Sequence, residues 1–181
     1  MVGVVLGIGA LVGWRYWNGH QVESSMASSL EYQTVTDAVR ADQPATLSAA
    51  EKFAAGTKNT YGALASLELA QKYADNNDLA KAAAQLQQGL SSTNDANLQA
   101  QINARLARIQ IQQKQSDAAL KTLDSIKGEG WVAIVADLRG EALLSKGDKQ
   151  GARDAWSKGS QTDASPALSE MMQMKINNLS S

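Results

Sequence analysis

No charged or strongly polar side chain interrupts the chain from Val2 to Gly13, and Trp14, Arg15, Tyr16 and Trp17 close the apolar run. A membrane-crossing helix needs roughly 20 apolar residues, each rising about 1.5 Å. Val2 to Trp17 supplies about 24 Å at that rise, short of a hydrocarbon core near 30 Å. The pattern predicts residues 1–17 as the C-terminal part of a single transmembrane helix whose apolar run starts before Met1. Trp14, Tyr16 and Trp17 then form an interfacial aromatic belt, with Arg15 reaching back to the headgroups. Without a basic leading region or a small-x-small cleavage site, a secretory leader is disfavoured.

The polar chain that follows is helical in pattern. Val22, Met26 and Leu30 recur four apart, Ala38 and Val39 extend the stripe, and Asp42-Gln43-Pro44 ends it. Ser48-Ala49-Ala50-Glu51 has the form of a capping box opening a short helix, and Gly56 supplies its stop. Residues 18–58 are expected as connecting helices.

Beyond Asn59 the apolar positions repeat. Ala70, Ala107 and Gly140 are small residues within helical patterns. Twelve positions later stand Ala82, Ala119 and Ala152, again small, and four further on the large Leu86, Leu123 and Trp156. Successive units are offset by 37 and then 33 residues, near the 34-residue period of tetratricopeptide repeats. The period predicts helical hairpins over about 59–94, 95–129 and 130–163, with turns at Asn76–Asp78, Lys114–Asp117 and Lys146–Asp148. Arg139 departs from the pattern, standing where the other units have Leu69 and Leu106. Ser165-Pro166 reads as a helix start. Leu168, Met172, Ile176 and Leu179 form the stripe of a capping helix over 166–179, with Lys175 and Asn177 expected outward. The fold class is therefore all-α: a membrane helix, then a tetratricopeptide-like hairpin solenoid with a C-terminal cap.

Composition reinforces this. Hydrophobic residues make up 44% of the 181, aromatics only 5%, and proline occurs twice, which suits helices rather than a sheet. A net charge of −1 lacks the basic excess that nucleic acid demands. Without cysteine there is no disulfide, thiolate metal site or cysteine nucleophile.

Candidate chemistry is sparse. Gly7, Gly9 and Gly13 resemble a dinucleotide-binding turn, which would make the chain a cofactor enzyme. That turn needs parallel strands after it, and Trp131–Val135, the best strand candidate, runs into a helical unit. Gly3/Gly7 and Gly9/Gly13 also have the spacing that lets membrane helices pack closely. His20 is the only histidine, so no histidine-based metal site is expected, and no catalytic motif occurs. Neither catalytic residues nor cofactors are predicted. Binding remains, on the first helices of the hairpins: Leu67 and Gln71, Arg105 and Arg108, then Asp137, Glu141 and Leu144, with Trp131 beside them. The two arginines suit an acidic segment of a partner, or an internal ion-pair ladder with Asp137 and Glu141. Met171, Met172 and Met174 are core filling for the cap or an adaptable apolar surface.

TYGALASLELA, KAAAQLQQGL, ALKTLDSIKGEGW, VADLRGEALLSKGDKQGAR and PALSEMMQMKINNL, together with GIGALVGWRYW, closely resemble the YfgM family over essentially the whole chain. The resemblance implies a non-enzymatic ancillary subunit of the bacterial SecYEG translocon. It would be single-pass in the inner membrane, with the repeat domain in the periplasm. It also implies association with PpiD, a membrane-anchored chaperone of prolyl-isomerase type, and transfer of emerging secretory or outer-membrane polypeptides to periplasmic chaperones. The short cytoplasmic segment of the family has no counterpart here. Leu67 and Gln71 stand where the carboxylate clamp of chaperone-binding tetratricopeptide domains needs a basic residue and Asn. A membrane-anchored regulator that sequesters a signalling protein in a stress response would use the same architecture.

Overall fold

The computed structural model describes residues 29–41, 43–162 and 164–179. The expected membrane helix, its glycines Gly3, Gly7, Gly9 and Gly13, and the anchors Trp14, Arg15, Tyr16 and Trp17 lie outside the described residues. So does the start of the helix expected from Asn18. Among the described residues all regular structure is helical, and no helix is long and apolar enough to cross a membrane.

Residues 29–41 are helical (α1). There follow α2 (Pro44–Gly56), α3 (Thr60–Asp75), α4 (Leu79–Leu90), α5 (Ala96–Gln112) and α6 (Ser116–Asp124). A 3-10 turn, Glu129–Trp131, leads into α7 (Val132–Ser145), α8 (Lys149–Ser160) and α9 (Pro166–Asn178). Helices α3/α4, α5/α6 and α7/α8 pair as antiparallel hairpins, and each second helix also touches the first helix of the next unit.

The three hairpin turns are built alike. Asn77, Lys114 and Gly147 occupy equivalent positions, and each has a positive φ, of 58°, 62° and 86°. The amide after each one donates back to the helix it leaves: Asp78 to the Tyr73 carbonyl, Gln115 to Gln110 and Asp148 to Leu143, at 2.8 to 3.0 Å. A left-handed residue flanked by such a bond is the Schellman ending, which satisfies carbonyls that the helix leaves open. In the outer two turns an aspartate then caps the second helix, Asp78 accepting from the Lys81 amide and Asp148 from the Gly151 amide. Gln115 makes no such cap.

The repeating small and large positions meet inside these hairpins. Ala70, Ala107, Ala82, Ala119, Ala152, Leu86, Leu123 and Trp156 are all at most 3% exposed, and Gly140 is buried. Small residues on both helices let the axes approach, and the large side chain fills the space between them.

Some local expectations change. Helix α2 starts at Pro44 rather than at Ser48, because proline is preset for the first helical position. Leu30 is 68% exposed, while Val35 and Val39 carry the buried stripe of α1. That helix is held by Tyr32, whose hydroxyl donates to Glu68 at 3.2 Å and whose ring meets Tyr61. On α9, Met172 and Ile176 are buried, Met171 is half-buried and Met174 is 60% exposed. Lys175 is not turned outward. Its ammonium sits 2.6 Å from Asp137 and 2.7 Å from Glu141, and 5.6 Å from the Trp156 ring centroid.

Candidate docking surfaces

Concave surfaces arise from this stack at two places among the described residues. The first runs between α3 and α5. Gln71 and Arg105 are shared by two adjoining hollows, one reaching Tyr32 and Glu68, the other Arg108 and Ile109. Their volumes are about 170 and 280 Å³ respectively. Leu67 is buried in its wall, Gln71 and Arg108 are exposed, and Arg105 is half-buried. The sequence pattern marks neither Tyr32 nor Glu68: Glu68 lies on α3 beside Leu67, and Tyr32 reaches it only through the packing of α1.

The ladder does not form. Asp137 and Glu141 pair with Lys175 of the cap, while Arg105 and Arg108 make no ion pair among the described residues. Asp137 is only 4% exposed, so its carboxylate needs a close cation, and α9 brings one over the end of the stack. Burial pulls the Lys175 ammonium down, but its hydrogen bonds to Asp137 and Glu141 prevail and hold its pKa above the usual lysine value. Leu144 lies exposed further along α7.

The second surface is a cleft of about 510 Å³ around Trp131. Three departures from the repeat converge on it. Helix α6 has 9 residues where α4 and α8 have 12, so it stops about a turn early. Ile126 stands where the flanking units have Gly89 and Gly159. Arg139 replaces the leucine that is fully or almost fully buried as Leu69 and Leu106, and its guanidinium swings to Asp124 at 2.5 Å. That bond, and the charge behind it, hold the Asp124 carboxyl below the usual carboxylate range. The cleft walls are Ile126, Trp131, Val132 and Val135, and its charged rim is Lys127, Glu129, Arg139 and Lys158. Among the described residues no cluster of His, Cys, Asp and Glu could hold a metal ion.

Stacked helical hairpins in phase, closed by a terminal helix, define a tetratricopeptide-type repeat protein. The profile described as Tetratricopeptide repeat-like domain matches residues 1–181. The chain is 72% identical over 179 residues to a protein of Escherichia coli (strain K12) named "Ancillary SecYEG translocon subunit", covering 99% of this chain and 87% of that one. Its counterpart in Haemophilus influenzae, under the same name, is 36% identical over 180 residues, covering 99% and 88%. No solved structure matches. The chain belongs to the family of ancillary SecYEG translocon subunits, the YfgM family.

Proposed function

We propose that this chain is a non-enzymatic, membrane-tethered docking subunit of the SecYEG translocon. In this reading the apolar N-terminal run anchors it once in the inner membrane, and the solenoid stands in the periplasm. There it meets a PpiD-type chaperone and passes emerging polypeptides onward. The observation that carries the reading is the 72% identity over nearly the whole chain to a protein named for that assembly. The architecture suits the task. A tether raises the effective concentration of the grooves at the channel exit, so weak contacts suffice. Arg105 and Arg108, with no ion pair among the described residues, offer two cations to an acidic partner segment, and Trp131 an aromatic anchor.

The test is co-purification from detergent-solubilised membranes. The tagged chain should bring down SecYEG and the PpiD-type chaperone, and Arg105→Glu/Arg108→Glu or Trp131→Ala should lower the yield of at least one. Recovery of neither partner with the unaltered chain, or of a signalling protein instead, would overturn the reading.

A further inference from the structure

We infer that the Trp131 cleft is a second docking site, separate from the α3/α5 groove, for a peptide segment in which a large apolar side chain is followed closely by carboxylates. This rests on reading the chain as a protein-docking subunit and names the chemistry that one of its surfaces accepts.

The cleft is built, not a packing accident of one residue. A shortened α6, Ile126 in place of glycine and Arg139 in place of leucine all act at the same junction between the second and third hairpins. Gly128, at φ 107°, turns the chain from α6 into the 3-10 segment that presents Trp131. The result is an apolar wall in which Trp131 and Val135 are half-buried and Val132 is 42% exposed.

The charges select the occupant. Lys127, Arg139 and Lys158 rim the cleft against one carboxylate, Glu129. Asp124 engages Arg139, and the Lys127 ammonium donates to the Asp124 carbonyl at 2.7 Å. Lys158 makes no ion pair among the described residues and sits across from Trp131 on α8. An apolar side chain entering beside Trp131 and Val135 would therefore place its neighbouring carboxylates within reach of Lys158.

The site is distinct from the groove. On α7, Val135 and Arg139 form one stripe, and Asp137 and Glu141 another, roughly 160° around a helix that advances about 100° per residue. The cleft and the groove share no lining residue.

The experiment is titration of the full chain with a short synthetic peptide carrying a Phe-Leu pair followed by Asp-Glu-Asp. Two companions accompany it, one with Lys replacing the acids and one with Ser replacing the apolar pair. The acidic apolar peptide should bind about fivefold or more tightly than either companion. Lys158→Glu, at an exposed position, should invert the preference between acidic and basic peptides. Arg105→Glu/Arg108→Glu, which removes any capture of the same acids by the groove, should leave that effect of Lys158→Glu in place. If Lys158→Glu binds the acidic peptide as well as the unaltered chain, or only the groove variant loses it, the inference is wrong. Failure here leaves co-purification with the translocon intact, and loss of co-purification leaves peptide binding intact, so the two claims fail separately.

Discussion

Gly140 and Trp156 are a matched pair: a Cβ on residue 140 would fall 2.5 Å from Cε2 of the Trp156 indole and nearer still to its Nε1. In the two preceding hairpins the same positions hold Ala70 with Leu86, and Ala107 with Leu123. The third hairpin has exchanged volume between its helices, adding a large ring on α8 and removing a methyl from α7. The ring cannot retreat, being 1% exposed and donating from Nε1 to the Asp137 carbonyl at 3.0 Å.

Gly140→Ala should therefore destabilise the chain by about 2 kcal/mol, since overpacking outweighs the gain of about 1 kcal/mol in helix propensity. Trp156→Leu alone should also destabilise, by leaving a cavity. Gly140→Ala/Trp156→Leu restores the Ala–Leu pair, and its loss should be smaller than the sum of the two. Denaturant midpoints of the three variants check this; additive losses would show that the two positions are independent.

The cap depends on charge. Lys175→Ala leaves the buried Asp137 carboxylate without its cation and should cost on the order of 2–3 kcal/mol, toward the low end for a buried pair because Lys175 is partly solvated. The loss should concentrate in α9, read as faster amide exchange over Pro166–Asn178 than in α3 and α5.

Alkaline pH should loosen the same chain. Burial and the hydrogen bond to Glu51, at 2.5 Å, push the Tyr73 hydroxyl up to about 12, and Lys175 is raised as well. A group whose folded pKa lies above its unfolded value contributes fully below the unfolded value and loses that contribution as pH rises through the folded one. The thermal midpoint should thus be insensitive to these groups up to about pH 9 and fall above about pH 10. Tyr73→Phe should lessen the fall.

The middle turn can be improved. Lys114 carries the left-handed conformation that Gly147 carries at lower cost, and Gln115 lacks the cap that Asp148 supplies. Lys114→Gly/Gln115→Asp should stabilise by about 1–2 kcal/mol in the denaturant midpoint.

What pattern could reveal was whatever repeats. The triples from Ala70 to Trp156 marked the hairpins, and their turns, because each unit meets the same packing demand. Contacts made once were not legible in this way. Lys175 reaches Asp137 and Glu141 only after α9 has folded over the stack, so of the two readings of Arg105 and Arg108 it is the ladder that does not form. Tyr32 enters the groove through α1 for a similar reason. Arg139 was visible as a break in the pattern, but that it opens a cleft follows only when the early end of α6 and Ile126 are placed beside it.

Docking at the translocon is tested most directly by site-specific photocrosslinking in intact membranes. A photoreactive residue is placed in turn at Arg108 in the groove, at Val132 in the cleft, and at exposed Gln87 on α4, which lines neither. Products with a SecYEG subunit or with the PpiD-type chaperone from Arg108 or Val132, and none from Gln87, are the predicted result. Labelling of neither partner from the groove or the cleft, in a chain that is folded and membrane-bound, would contradict the account.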